Sequence, residues 1–398
     1  MIKIYAAFTK ELDDPEAAVR EITEQLRPSE TVLKNAVGIV QFYYEYAETG
    51  VYQAIVDALP FDLVGCATTS IGVSGRFGDL ALSVTLITSD DVNFTVRSLK
   101  DTNKKSREKI TDELILLFGE LSAGEKPKMV LSLLPVLHHF SGDYLVEAVN
   151  MLPEQFPLFG TLASSDESEF NLVASGSEIS TDIMAFVAFY GNFEPKFHIH
   201  TSLDSEETFG EVAEITDADG ALLKAVNGMP AVGFLVKQGV ITDRSVITGD
   251  TNVVSTIPVI LTRKDGTKVA RGFSDIDDEN PDYVFLAGHL EIGSKMSFSF
   301  LDSENVLSSA EKLVAEICES NERNFIAFSC SARASALGSQ YLDEVKKFAQ
   351  CYDKYRKMNM SIEYCISYSG GEICPVVNNN GEFVNTLHNY SLISCSFD

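Results

Sequence analysis

Three short stretches bring together side chains able to hold a polar ligand. Phe328-Ser329-Cys330-Ser331-Ala332-Arg333 leaves the end of an apolar run. Strand carboxyl ends in α/β sheets are where ligands tend to sit. Arg333 offers an always-charged planar donor fork suited to a carboxylate or phosphate. Ser369-Gly370-Gly371-Glu372 also follows an apolar run. Its paired glycines allow a sharp turn or a close backbone approach, and Glu372 is placed to receive an ammonium group or to hold Arg333. His388-Asn389 precede the last apolar run, and an Asn amide both donates and accepts. Ser329, Cys330, Arg333, Gly371, Glu372 and Asn389 are therefore the candidate ligand-binding residues, with turn or strand-edge roles as the ordinary alternative. Cys330 as a nucleophile would need a nearby base and a lowered pKa. No His lies close to it in sequence, so a packed thiol is expected.

Two further loops, 65–70 (GCATTS) and 160–166 (GTLASSD), occupy equivalent places after apolar runs. Small polar side chains there leave room for a ligand and expose backbone N–H groups, with a plain tight turn as the ordinary alternative. His198 and His200 alternate with Phe197 and Ile199 on one strand face. That spacing can bind a metal, but no acidic or Cys partner is evident, so an exposed strand face is expected. His138 and His139 read as loop surface. The acidic string 274–282 lacks the calcium-loop spacing. No G-x-S-x-G, P-loop, G-x-G-x-x-G after a strand or H-E-x-x-H is present, so no catalytic residue is assigned.

Three stretches of similar grammar would position these residues. Each reads helix, strand, helix, then strand, small-residue loop and further strands. In the first, Asp14-Pro15 caps a helix with Val19, Ile22 and Leu26 inward, followed by strands at 36–44, 61–70 and 80–89. In the second, a helix over 103–121 precedes strands at 129–136 and 183–191. In the third, helices are expected over 308–319 and from Ser339, with strands at 325–331 and 362–375. The strand-helix-strand step favours a parallel pair, and later strands can pair as hairpins. The expected fold is mixed α/β to α+β: mixed sheets with helices packed outside, layered as an α/β/β/α sandwich with the first two stretches as the natural pair. A strand-rich segment with turn signals lies between stretches two and three. Two modules are expected, 1–205 and 206–398.

With 31 Lys plus Arg against 58 Asp plus Glu, the net charge is −27. That balance argues against nucleic acid, whose phosphates need cations, and against an anionic membrane surface. No apolar run approaches a membrane span, and the start lacks a signal-peptide pattern. Seven Cys with no C-x-x-C pair suggest a reduced, cytoplasmic protein.

The motifs VGCATTSIG, PLFGTLASSDESEF and IMAFVAFYG, followed by NGMPA, LAGHLEIGSKMSFSF, FSCSAR, SYSGGEICPV and HNYSLI, resemble the FIST family (F-box and intracellular signal transduction), N- and C-terminal modules in order. The resemblance implies a sensory input module that binds small molecules, amino acids among them, and is not catalytic. It places the family's marked residues on Arg333, Gly371, Glu372 and Asn389, with Gly160 and Asp166. Phe159-Gly160 stands where a double glycine is usual, and Ser165 where an Asp is common. Some members bind haem, for which His198, His200 and Cys330 are the formal ligands here; no cofactor is expected. A separate output protein, such as a histidine kinase, cyclase or chemotaxis component, is the expected partner. A Cys330-dependent thiol hydrolase or transferase and a non-catalytic docking scaffold are the alternative functions.

Overall fold

In the computed structural model, residues 1–137, 142–201, 208–242, 256–320, 322–358, 360, 362–378 and 380–397 are described. His138 and His139 fall outside them, as does the module boundary expected at 205/206.

Helices and mixed sheets follow the apolar periodicity, although the helix expected from 103 begins at Arg107, behind its Ser106 cap, and the one expected from Ser339 begins at Asp343. Asp14 caps the helix Pro15–Leu26 through Ala17 N–H, with Ile22 and Leu26 buried. Three six-stranded sheets share one layout. Each has a central parallel pair: Asn35–Phe42 with Asp62–Ala67, Met129–Leu134 with Leu158–Leu162, and Asn324–Cys330 with Glu363–Ser369. An antiparallel strand flanks each pair: Leu82–Ser89, Met184–Tyr190 and Ser391–Ser396 respectively.

Every sheet is completed by strands that leave another. The hairpin Ser70–Val73/Arg76–Asp79 departs after Asp62–Ala67 and joins the sheet of Glu363–Ser369. The hairpin Val173–Ser175/Glu178–Ser180 joins Asp62–Ala67. Glu372–Val377 and Phe383–His388 join Leu158–Leu162. The exchange closes a ring of three.

The inner faces of the three sheets meet in one core, with Ile39, Val64 and Ile87 from one, Leu131, Phe159 and Val187 from the second, and Ile326, Phe328 and Ile393 from the third. Helices cover the outer faces, for example Ile22 and Ile55 over Val84 and Leu63, and Leu114 and Val149 over Val130. Helix, sheet, sheet and helix thus layer as expected, but a third sheet shares the inner layer. Three apolar inner faces have to be covered, and the exchanged hairpins tie each sheet to the next.

The segment between the second and third sheets forms a separate eight-stranded arrangement, from Phe209–Asp219 to Lys295–Phe298, with its own core around Ile215, Leu235, Leu261 and Phe298. The helix expected over 308–319 begins earlier, at Ser303, because Asp302 accepts from Asn305 N–H as its cap. A further short helix, Ser331–Leu337, precedes the helix Asp343–Lys357.

Candidate functional site

Strand Asn324–Cys330 runs directly into helix Ser331–Leu337, and this turn drives Arg333 into the interior, fully buried. Its Nη2 donates to Glu344 Oε1 (2.6 Å), Ser309 Oγ (2.8 Å) and the Val306 carbonyl (3.1 Å). Its Nε donates to Glu344 Oε1 and Ser329 Oγ, both at 3.1 Å. Ser329 Oγ donates in turn to Glu344 Oε2 at 2.7 Å. The carboxylate that holds Arg333 is therefore Glu344, not Glu372. A buried charge needs a paired, hydrogen-bonded partner, and Glu344 is equally buried. Glu344 is not among the residues singled out in the sequence, where it stands as one acid in a first helical turn. Its signal was position: Glu344 lies four residues before Phe348, on the stripe that faces the core.

Glu372 opens the strand Glu372–Val377, opposite Thr161 on one side and His388 on the other. It is fully buried, and its Oε2 accepts from Ser391 Oγ at 2.7 Å. Burial pushes its carboxyl up to about 8, with the hydroxyls of Ser391 and Ser369 and the charge of Arg333 pulling the other way. Glu372 thus keeps its proton at neutral pH. Burial, and then Glu372, also push the Cys330 thiol far up, so Cys330 presents a packed thiol rather than a thiolate nucleophile. Gly371 N–H donates to Ser369 Oγ (3.0 Å), and its carbonyl accepts from Leu162 N–H (2.9 Å). A Cβ on Gly371 would stand 3.3 Å from Asn389 Nδ2, so this glycine leaves the amide its place. His388 Nε2 donates to the Cys374 carbonyl at 3.1 Å, and burial pushes its imidazole down to about 4.

Arg333, Glu372 and Asn389 have one property in common. Each keeps a buried polar atom without a partner: Nη1, Oε1 and Oδ1 respectively. Such atoms are uncommon in folded proteins and ask for an explanation. Asn389 also lines a cleft of about 660 Å³ between the eight-stranded segment and the third sheet, walled by Thr262, Lys268, Lys295 and Ser297. Arg333 and Glu372 do not line it.

The N-terminal candidates sit differently. Gly160 lies in the parallel pair opposite Ser132, where a Cβ would fall 2.0 Å from the Ser132 carbonyl oxygen. Gly65 has the same place opposite Val40, with 2.6 Å to that carbonyl oxygen. The loops after them bond to one another: Ser164 N–H to the Ala67 carbonyl (3.0 Å), Gly370 N–H to the Leu162 carbonyl (2.9 Å), and Thr68 Oγ1 to the Tyr368 carbonyl (2.9 Å). Asp166 lies in an exposed part of its loop.

The strand face with His198 and His200 is covered rather than exposed. His198 Nε2 meets Glu322 Oε2 and His200 Nε2 meets Glu316 Oε2, each at 2.9 Å. The Glu322 bond raises the His198 pKa. With both rings paired to carboxylates and Cys330 buried as a thiol, the formal haem ligands among the described residues do not fit an iron centre facing an apolar pocket.

A pair that sequence reading missed fixes one side of the cleft. Arg271, fully buried, donates from Nη2 to Asp143 Oδ2 (3.2 Å) and from Nη1 to the Leu387 carbonyl (2.9 Å). Asp143 Oδ2 also accepts from His289 N–H at 2.7 Å. These bonds stitch the eight-stranded segment to helix Gly142–Asn150 and to the strand that leads into Asn389. A charged residue closing the otherwise apolar VAR run was the available signal.

Residues 37–229 match the model of the FIST N domain, and residues 244–375 that of the FIST C domain. No curated protein matches the chain. A chain of the "Structure of PurLQS from Thermotoga maritima" is similar at 9% identity, over 100% of this chain and 72% of that one, with a TM-score of 0.19, too low to bear on fold or function. No helix among the described residues is long and apolar enough to cross a membrane.

Proposed function

Since this chain belongs to the FIST family, whose domains are associated with signal transduction and small-ligand sensing, we propose that it is a sensory protein binding an amino acid or a similarly small polar metabolite at Asn389. The observation that carries this reading is Asn389 itself, a residue of the cleft lining whose buried Oδ1 has no partner. A desolvated acceptor without a donor is costly, and a ligand ammonium or hydroxyl relieves that cost on binding. Gly371 leaves room for the amide, and Glu372, buried outside the lining of the cleft, supports the strand beside it. Arg333 acts at one remove: paired with Glu344, it fixes the strand-to-helix turn. Gly160 and Asp166 are framework and loop positions in this reading. The signal would pass to a separate cytoplasmic output protein, such as a histidine kinase, cyclase or chemotaxis component.

The test is a thermal-shift screen of the proteinogenic amino acids and common metabolites against the parent and Asn389→Ala. A ligand at 100 times its dissociation constant adds about 2.7 kcal/mol to stability. At least one compound is expected to raise the midpoint of the parent and not that of the variant. The reading is overturned if none does so, or if parent and variant respond alike.

A further inference from the structure

The sequence holds two Asn-Gly pairs, Asn227-Gly228 and Asn380-Gly381. In such a pair the glycine has no side chain to shield its amide nitrogen, which can reach the carbonyl carbon of the Asn side chain. Both pairs sit at exposed turns, with the glycines at φ +74° and +79°. Both glycine N–H groups are bonded, Gly228 to Thr216 Oγ1 and Gly381 to the Asn378 carbonyl, each at 3.0 Å. The Asn side chains differ. Asn227 is pinned at both ends: Oδ1 accepts from Glu214 N–H (2.8 Å), and Nδ2 donates to Glu211 Oε1 (2.9 Å). Asn380 is held through its backbone N–H, which donates to Asn378 Oδ1 at 2.9 Å. Its exposed side chain has no hydrogen-bond partner among the described residues.

We propose that Asn380 is a site of spontaneous deamidation and that Asn227 is protected from it. The Gly381 nitrogen gives up its proton to water or hydroxide and attacks Asn380 Cγ. The new N–Cγ bond forms, the Cγ–Nδ2 bond breaks, and Nδ2 leaves as ammonia with a proton from solvent, closing a succinimide. Water then adds to either ring carbonyl and breaks that carbon's bond to the ring nitrogen. One opening gives aspartate. The other gives isoaspartate, whose backbone runs through Cβ and is one carbon longer. Water is the only co-reactant. The turn around Asn380 is sensitive to this change, because Asn378 Oδ1 accepts from both Asn380 N–H and Glu382 N–H at 2.9 Å. Isoaspartate lengthens the chain between those two donors, and either product sets a new carboxylate two residues from Glu382. The turn closes the hairpin of Glu372–Val377 and Phe383–His388, so the change falls on the strand that runs into Asn389.

The test is peptide mapping by mass spectrometry of the folded protein aged in mildly alkaline buffer below its unfolding midpoint, beside a sample aged in guanidinium chloride. In the folded protein, acid is expected to build up about tenfold faster at Asn380 than at Asn227, the factor that two hydrogen bonds supply when both must open first. Residue 380 should yield isoaspartate and aspartate together. Glu211→Ala, which frees Asn227 Nδ2, should speed conversion at 227 and leave 380 unchanged. In guanidinium chloride the two pairs should convert alike. The proposal is overturned if residue 380 keeps its amide in the folded protein, if the two sites age at one rate when folded, or if their ratio persists in guanidinium chloride. It also falls if aspartate forms without isoaspartate, because the succinimide route gives both.

Discussion

Two strand ends of the same sheet treat their polar residues in opposite ways. At the end of Asn324–Cys330, Arg333 is sealed: Glu344, Ser309, Ser329 and a carbonyl take up all but one of its nitrogens. Around the start of Ser391–Ser396, Asn389 and Glu372 each keep an oxygen unpartnered, and Asn389 borders a cleft. The loops at 65–70 and 160–166 resemble the sealed end, because their backbone groups bond to one another. Residues of the same chemical promise thus divide into one tied into the fold by most of its polar atoms and two that keep an oxygen unpartnered. Substitutions at the sealed end should register in stability, and those at the open end in binding.

The largest effect is expected at Arg333. Arg333→Ala leaves Glu344 buried and unpaired, which costs about 3–5 kcal/mol. Arg333→Lys keeps the charge but loses the planar fork, and should recover part of that loss in urea denaturation. If Arg333→Ala unfolds at the parental midpoint, the end is not sealed.

Glu372 should move the other way. Its folded pKa of about 8 lies above the ordinary 4.5. The folded state therefore holds a proton that the unfolded chain releases, and stability falls as pH rises from 4.5 to 8. Glu372→Gln cannot ionise, and should be more stable than the parent by about 3 kcal/mol at pH 7. The difference should vanish below pH 4.5. A variant less stable than the parent above pH 8 would contradict this placing of Glu372.

The glycines give a smaller contrast. Gly160→Ala forces a Cβ onto the Ser132 carbonyl, and overpacking of this kind costs about 1–3 kcal/mol. Gly371→Ala meets the Asn389 amide at 3.3 Å, with Leu387 Cδ1 and the His388 carbonyl oxygen at ordinary contact distances, and should cost less than Gly160→Ala while weakening amino-acid binding. Equal midpoints for the two variants would erase the distinction between framework and site.

His198 provides the smallest effect. Its folded pKa is raised by Glu322, so its contribution is fully present below 6.5 and is lost as pH rises through the elevated value. His198→Gln keeps a hydrogen-bond donor for the buried Glu322, so it should be only modestly less stable than the parent at acid pH and converge with it at higher pH. A difference that grows with pH would reverse the sign.

Much of the fold was legible because it is local. The cap at Asp14, the apolar stripes and the buried runs are properties of neighbouring residues. The exchange of hairpins was not, since Cys365 pairs with Val73 and Ile373 with Gly160 across hundreds of residues or between separate stretches, and strand pairing leaves no mark on either partner's sequence. The site was legible to the same degree. Arg333, Glu372 and Asn389 could be singled out as polar residues beside apolar runs. Glu344 could not be matched to Arg333, because an acid in a first helical turn looks the same whether it faces water or a guanidinium. The cleft was beyond reach, because a concave surface between two segments exists only once they pack.

The central claim is that Asn389 marks the open end. Its most direct test is isothermal titration of the amino acid giving the largest thermal shift into the parent and into Asn389→Ala, both first shown to unfold at matching midpoints. Saturable heat in the parent and none in the variant is the result predicted here. Saturable heat of the same affinity in both would contradict it.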